Sequence, residues 1–320
     1  PAHGVARVGA PRVMRGPGVV VDAAGVRRAR VDARPAVLNH NIESTRRVFP
    51  RVRPRGNYEL SLQLLAKAKQ TIAAVKVMEI YAGDFEARGK ADKSPVTDAD
   101  ELAEEIILAE LASSLPGIPV LAEESFASGF RPNTDGSFIL VDPVDGTKEF
   151  LSRNGEFTVN IALIENRAPT AGCVFAPARE RIFVGGTDAW AGTLKPGECV
   201  SPASLQSIKT RAPSQSGMIA VMSRSHADDK TVAFAESRGV TEIVSAGSSL
   251  KFCLVAEGVA DVYPRFGPTK EWDTGAGHAV LNAAGGVVLT PDGDPFVYAK
   301  AETEYLNGAF VAWARKPDQR

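Results

Sequence analysis

Apolar side chains at helical spacing predict two helices in the part of the chain beyond residue 60. The first runs from Leu60 to Tyr81, and its apolar positions are Leu60, Leu64, Ala68, Ile72 and Val75. The second follows Thr97 and has Leu102, Ile106 and Ala109 on its apolar face.

Apolar runs bounded by turn residues predict the strands. Residues 120–122 and 138–141 are short runs that each end in acids. Residues 157–164, 170–176 and 181–184 predict successive strands of an antiparallel sheet. After a polar stretch over 191–217, strands and helices alternate. The strands are at 218–223, 242–245, near Asp261 and at 287–290, and the helices are at 228–238, 249–257 and 274–284.

This change of rhythm predicts three segments. Residues 1–69 form a basic extension, which we expect to be disordered or the remnant of a fusion. Residues 70–215 form an α+β half that holds the main functional site. Residues 216–320 form an α/β half that completes that site.

The N-terminal extension also differs from the remainder in charge. Residues 1–56 carry a net charge of +9, whereas the whole chain carries −1, so the remainder is acidic. An acidic body disfavours nucleic acid as a partner unless cations intervene. Residues 35–69 resemble an internal segment of lipoyl synthase. That family needs cysteine triplets for its clusters, and this sequence has none.

Composition otherwise predicts an ordinary globular protein, with 44% hydrophobic and 23% charged residues. The three cysteines are scattered, which favours a reducing compartment over a disulfide framework. The sequence has no run of about 18 apolar residues and no secretory pattern. We therefore expect a cytoplasmic protein, or one peripheral to the inner face of the cell membrane, that is a monomer or a homodimer.

The candidate chemistry centres on residues 142–147, DPVDGT. An apolar strand runs directly into Asp142 and Asp145, and Pro143 is expected to end its ladder of hydrogen bonds. Two close carboxylates repel each other without a cation, and hard oxygen ligands suit Mg²⁺. An isolated pair of this spacing is more often a surface turn. The preceding strand and the amides of Gly146 and Thr147, which could face a phosphate, favour a metal site.

Three further acids fit this pattern, although each also has an ordinary structural explanation. Glu123 ends the apolar run 120–122, where an exposed acidic loop is the alternative. Asp100 lies three residues after Thr97, where a capping-box acid belongs. Asp273 precedes a run of small residues, where it could be a plain N-cap.

Together these motifs resemble the inositol monophosphatase superfamily over about residues 75–315. The resemblance rests on EES (123–125), DPVDGT and WDTGAG (272–277). Five further segments are similar to the 3′(2′),5′-bisphosphate nucleotidase branch: DPVDGTKEF (142–150), GEFTVNIALI (155–164), SRSH (223–226), GSSLKFCLVAEG (247–258) and YPRFGP (263–268). The resemblance implies a layered α-β-α-β-α sugar-phosphatase fold, mixing α/β and α+β, and a lithium-sensitive, Mg²⁺-dependent phosphatase activity.

The resemblance also implies a role for each acid. One Mg²⁺ would be held by Glu123, Asp142 and the Val144 carbonyl, and a second by Asp142, Asp145 and Asp273. A third, weaker ion near Glu123 would carry the attacking water, so two or three ions are expected. Thr147, hydrogen-bonded to Asp100, would activate that water.

The implied substrate is a small nucleotide, adenosine 3′,5′-bisphosphate or its sulfated form, cleaved to AMP and phosphate in sulfate assimilation. The Gly146 and Thr147 amides would back the scissile phosphate. Lys251 and Arg265, with Ser248 as a hydroxyl donor, would bind the second phosphate. His226 could contact the nucleotide or be an ordinary surface histidine. The alternatives are an inositol or sugar phosphate phosphatase and a non-catalytic nucleotide or metal sensor.

Overall fold

The chain divides into two units, Pro1–Tyr58 and Glu59–Arg320. The computed structural model describes residues 19–21, 27–29, 72–89, 95–212, 217–223 and 228–317. In the first unit, strands β1 (Val19–Val21) and β2 (Arg27–Ala29) pair antiparallel. Most of residues 1–69 lie outside the described residues, so the expected disorder or fusion origin of this segment stays a prediction. The division at residue 215 stays one too.

The second unit alternates helices and strands. Its helices are α1 over residues 72–82, α2 (Asp98–Ser114), α3 (Glu123–Ala127), α4 (Thr147–Leu151), α5 (Asp229–Ser237), α6 (Leu250–Ala256) and α7 (Glu271–Ala283). Its strands up to the middle of the unit are β3 (Arg88–Gly89), β4 (Pro95–Val96), β5 (Val120–Ala122), β6 (Phe138–Asp145), β7 (Thr158–Glu165), β8 (Ala168–Ala176), β9 (Arg181–Gly185), β10 (Ala189–Thr193) and β11 (Leu205–Ser207). The later strands are β12 (Met218–Met222), β13 (Val240–Ser245), β14 (Val262–Arg265), β15 (Thr269–Lys270), β16 (Val287–Leu289), β17 (Leu306–Asn307) and β18 (Phe310–Trp313).

Two main sheets organise these strands. The larger has the order β11-β10-β9-β8-β7-β6-β5 and is antiparallel except for the parallel pair β5–β6. The smaller has the order β13-β12-β14-β18-β16, with β12 parallel to both of its neighbours. The successive antiparallel strands predicted after residue 157 are confirmed.

Both sheets are covered on both faces, which explains why their central strands are apolar at nearly every position. Along β8, Val174 and Ala176 belong to the core that also contains residues of α6 and α7. The alternate residues Cys173 and Phe175 pack with Ala74 of α1 on the opposite face. Helices α6 and α7 contact both sheets, and α5 packs on β13 and β14. The result is the predicted α-β-α-β-α layering.

Helix α7 crosses the larger sheet at short range because two strand residues are glycines. A Cβ on Gly172 would lie 2.5 Å from the carbonyl oxygen of Ala276, and one on Gly185 would lie 2.4 Å from the Cα of Val280. Any side chain at either position would push the helix away. The two glycines therefore fix the height of α7 over the sheet.

The buried faces of α1 and α2 differ from the predicted ones. In α1 the buried residues are Ala73, Ala74 and Val77, whereas Ile72 is 44% exposed and Val75 is half-buried. In α2 they include Ala99, Ala103, Ile107 and Leu111, whereas Leu102 is 42% exposed. Small alanines let each helix approach its neighbours closely, which simple apolar periodicity does not reveal. No described helix is both long enough and apolar enough to span a bilayer.

Candidate active site

The two aspartates of DPVDGT lie in one strand rather than on either side of a turn. Strand β6 continues through Pro143 to Asp145, and its pairing with β7 shifts register between Asp142 and Asp145. The prediction that Pro143 ends the ladder is therefore wrong. The proline instead occupies an irregularity, where a missing N–H costs no ladder bond. Gly146 then adopts a φ of 91°, and α4 begins at Thr147.

Three carboxylates from separate elements converge at this point. One oxygen each from Glu123, Asp142 and Asp273 lie within 4.8 Å of one another. Glu123 follows β5 at the start of α3, and Asp273 lies in the first turn of α7. Oxygens around one Mg²⁺ lie at about 2.0–2.1 Å from the ion and hence within about 4.2 Å of each other. The three side chains therefore fit a small hard cation after a slight contraction.

Asp273 is not the N-cap of α7, so the alternative explanation offered for it from the sequence is wrong. Helix α7 begins at Glu271, so Asp273 is its third residue, and its Oδ2 accepts a hydrogen bond from Lys270 N at 2.8 Å. Burial, followed by the charges of Asp145 and Glu123, raises the pKa of Asp273 well above its ordinary range. Crowded acids of this kind are unfavourable when charged, and a bound cation would reverse the effect.

A crevice of about 280 Å³ gathers almost all of the residues singled out from the sequence. Its lining includes Glu123, Asp142, Val144, Asp145, Gly146, Thr147, Ser248, Lys251, Arg265 and Asp273. Asp100 reaches it indirectly, since the Thr147 hydroxyl donates to Asp100 Oδ1 at 3.4 Å. His226 lies outside the described residues, so its contact with the nucleotide stays a prediction.

Asp100 combines the capping role with the contact to Thr147. Its Oδ2 accepts from the Thr97 amide at 2.8 Å and from the Thr97 hydroxyl at 2.7 Å, which completes a capping box at the start of α2. The same contacts hold the carboxylate still, with Oδ1 turned to Thr147. The structural explanation of Asp100 is confirmed, and it is compatible with a place beside the crevice.

Comparison with known proteins identifies the family. The model of the "Inositol monophosphatase family" matches residues 61–316. The chain belongs to the inositol monophosphatase family. The 3′(2′),5′-bisphosphate nucleotidase CysQ of Escherichia coli K12 is 44% identical over 236 residues, which cover 73% of this chain and 92% of that protein. CysQ of Buchnera aphidicola is 41% identical and covers 70% and 82% of the two chains. The crystal structure of CysQ from Bacteroides thetaiotaomicron superposes with a TM-score of 0.69 at 37% identity, covering 82% of this chain and all of that one.

Two basic side chains, Lys251 and Arg265, also line the crevice of this family member. Lys251 is buried, and desolvation lowers its pKa to about 8, although the charge of Asp145 works in the opposite direction. Its ammonium lies 5.4 Å from the centroid of the Tyr263 ring. The guanidinium of Arg265 donates to the carbonyls of Gly267 and Pro268 at 3.3 Å each. An anion entering the crevice would meet both groups.

Three buried polar residues around the site escaped prediction from the sequence. Glu104 accepts hydrogen bonds from the Glu124 and Ser125 amides at 2.7 Å each, and so caps the short helix that begins with Glu123. Asn160 and Ser249 contact Asp145 from behind. A signal was present for Asn160, because an amide side chain is unusual within the apolar run of β7.

Proposed function

We propose that this chain is a Mg²⁺-dependent phosphatase that removes the 3′-phosphate of adenosine 3′,5′-bisphosphate and gives AMP and phosphate. The observation that carries the proposal is the crevice itself, which clustered carboxylates line together with Lys251 and Arg265. The named activity of the CysQ relatives, of which this chain covers most of the length, supports a bisphosphorylated nucleotide as substrate. The sulfated form of the nucleotide is a second substrate under this proposal, and the physiological setting is the removal of a by-product of sulfate activation.

The donor set fits divalent cations. Glu123, Asp142 and the Val144 carbonyl would hold one ion, and Asp142, Asp145 and Asp273 a second, with a weaker third near Glu123. When bound, such ions supply charge neutralisation at the transferring phosphoryl group and Lewis acidity toward water. All of these donors are hard oxygens, which matches Mg²⁺ better than a softer metal.

The chain's own residues position the attacking water. The Thr147 hydroxyl lies 3.4 Å from both Asp100 Oδ1 and the Val144 carbonyl oxygen, and when it donates to Asp100 its lone pairs are available to accept a hydrogen bond from a water in the crevice. Asp100, held by Thr97, stays oriented to draw the hydroxyl proton. No protein nucleophile is needed, since positioning and electrostatics supply most of the acceleration in phosphoryl transfer.

Substrate selection is assigned to the basic side chains of the crevice. The Gly146 and Thr147 amides would back the scissile phosphate, while Lys251, Arg265 and the Ser248 hydroxyl would bind the second phosphate. The Ser248 Oγ atom is buried and has no hydrogen-bond partner among the residues that the structure describes; a phosphate oxygen would supply one. A monophosphate such as inositol-1-phosphate would leave this set unused.

Phosphate release tests the proposal directly. We expect the full chain with Mg²⁺ to hydrolyse adenosine 3′,5′-bisphosphate much faster than inositol-1-phosphate or fructose-1,6-bisphosphate. EDTA should stop the reaction and added Mg²⁺ should restore it. Faster release from inositol-1-phosphate would replace the proposed substrate, and undiminished release in EDTA would refute the metal assignment.

A further inference from the structure

Two buried polar side chains lie directly behind the acidic crevice without lining it. Asn160 of β7 and Ser249, which immediately precedes α6, are each 1% exposed. Burying an amide or a hydroxyl is costly unless hydrogen bonds compensate for it. The partners of these two side chains therefore indicate what they stabilise.

The first partner, reached by the Asn160 side chain and by the backbone amide of Ser249 rather than its hydroxyl, is the carboxylate of Asp145. Its Oδ2 accepts from the Ser249 amide at 2.6 Å, from Asn160 Nδ2 at 3.1 Å and from the Thr158 hydroxyl at 3.3 Å. Within the described part of the chain all three hydrogen bonds fall on this one oxygen. Oδ1 is therefore the oxygen left for a ligand in the crevice, and rotation of the carboxylate is restrained.

The second partner is the backbone that carries Asp273. The Ser249 hydroxyl accepts from Asn160 Nδ2 at 3.0 Å and donates to the carbonyl of Asp273 at 2.9 Å. Asn160 and Ser249 thus form a two-residue bridge from the end of β6 to the first turn of α7. The bridge joins two acids that are 128 positions apart in the sequence.

A purely structural role explains the bridge less well. The backbone ladder between Asp142 and Asn160 already fixes the register of β6 and β7. Packing of α7 on the larger sheet is set by its close approach at Gly172 and Gly185. The hydrogen bonds of the bridge are directed at the acids of the crevice, where small displacements change metal affinity most.

We propose that Asn160 and Ser249 are positioning residues that orient the Asp145 carboxylate and set its separation from Asp273, and thereby determine how tightly the crevice holds divalent cations. This inference rests on the proposed function and extends it to residues outside the crevice. Neither residue is expected to touch the substrate.

Binding of Mn²⁺ to the resting full-length protein tests the inference, because it is measured without turnover. Mn²⁺ accepts the same oxygen ligands as Mg²⁺ and reports through its electron paramagnetic resonance; displacement by Mg²⁺ establishes that the sites are shared. We expect Ser249→Ala and Asn160→Ala each to weaken Mn²⁺ binding about 10–100-fold, as is usual for residues that orient metal ligands. Ser249→Ala keeps the backbone amide hydrogen bond to Asp145 and removes only the hydroxyl that links Asn160 to the Asp273 carbonyl, so it tests that link on its own if Asn160→Ala does not fold.

Thr210→Val is the matched control. Thr210 is 5% exposed, and its hydroxyl approaches the carbonyl of Ala284 at 3.3 Å, at the opposite end of α7 from Asp273. The control loses a comparable buried contact, and we expect its urea stability to fall while its Mn²⁺ affinity stays within about twofold of wild type.

The possible outcomes distinguish a failure of the inference about Asn160 and Ser249 from a failure of the phosphatase proposal. Weaker binding in the bridge variants with an unchanged control supports the inference. Bridge variants that bind Mn²⁺ as tightly as wild type overturn it while the phosphatase assignment stands. A wild-type protein that neither binds Mn²⁺ nor releases phosphate overturns both.

Discussion

Buried carboxylates occur in two contrasting settings in this protein, and the first is the fully paired one. Asp261, beside β14, accepts from Arg211 Nε at 2.9 Å and from Arg211 Nη2 at 2.7 Å. The Ile219 amide adds a third hydrogen bond at 2.7 Å. The buried Asp261 carboxylate thus has both a cation and an amide as partners within the chain.

The crevice gathers charges of both signs. Glu123, Asp142 and Asp273 face one another. Lys251 and Arg265 also line it and form no ion pair with any carboxylate of the described residues, although the charge of Asp145 acts on Lys251. The Arg211–Asp261 pair stabilises the fold, whereas these two cations are not held in an ion pair within that part of the chain. A crevice with charges of both signs suits a cation and a polyanion bound together, as a metal-assisted phosphatase requires.

Removal of one crevice charge should have the largest effect. Asp145→Asn keeps the size of the side chain, but a neutral amide is a poor ligand for a hard cation. We expect kcat to fall about 10³-fold, equivalent to about 4 kcal/mol. The free energy of unfolding should change little, because relief of the repulsion with Asp273 offsets the weaker hydrogen bonds that a neutral amide oxygen accepts from Ser249, Asn160 and Thr158. Phosphate release and urea unfolding measure the two quantities, and full activity in this variant would refute the metal assignment.

Removal of a charge from the paired region should have the opposite profile. Arg211→Ala leaves Asp261 buried without its cation, which we expect to lower the free energy of unfolding by about 2–3 kcal/mol. The cost is below that of a fully buried pair because the Arg211 side chain is 30% exposed. Below its melting temperature this variant should keep the kcat and KM of wild type. A tenfold loss of kcat without destabilisation would mean that the two regions are not independent.

The site acids could be predicted from the sequence, whereas most of the contacts that support them could not. Glu123, Asp142 and Asp273 each stand at the end of an apolar run or near a helix start, so local pattern made them candidates, and the family resemblance gave them their expected roles as metal ligands. The two strands before the acids and the antiparallel sheet were predicted from local pattern too, whereas the layered order was implied by the family resemblance.

The supporting contacts could not be predicted because they join residues remote in sequence. The partner of Asp145 is Ser249, and that of Asp261 is Arg211; neither pairing leaves a local signal. The buried faces of α1 and α2 were missed because two apolar stripes lie one residue apart on each helix. The continuation of β6 through Pro143 depends on a register shift, which only the pairing with β7 reveals.

Removal of the basic side chain of Arg265 from the crevice should lower kcat/KM by an intermediate amount that depends on the substrate. A charge-assisted hydrogen bond to phosphate is worth about 1.5–3 kcal/mol. We therefore expect Arg265→Ala to reduce kcat/KM for adenosine 3′,5′-bisphosphate about 10–100-fold and to affect inositol-1-phosphate much less. Arg238→Ala removes an exposed arginine outside the crevice and should leave both substrates unaffected. Equal losses on the two substrates would eliminate Arg265 as the selector.

The smallest expected effect is on the pH dependence of stability, and it comes from His278, a buried side chain outside both the Arg211–Asp261 pair and the crevice. His278 is 5% exposed, with Nδ1 at 3.0 Å from the Tyr298 hydroxyl, and burial, followed by the charge of Lys300, lowers its pKa from 6.5 to about 3. Between these two pH values the unfolded chain binds a proton at His278 that the folded chain does not. The contribution of His278 to the free energy of unfolding is therefore fully present well above pH 6.5 and is lost as the pH falls. From pH of about 7.5 to about 5.5 the loss should be about 1.4 kcal/mol. Asp273 contributes with the opposite sign, because its raised pKa makes the folded chain take up a proton first. The difference between wild type and His278→Gln in urea unfolding at the two pH values isolates the histidine, and identical pH dependence in both proteins would mean that His278 is not buried in its neutral form.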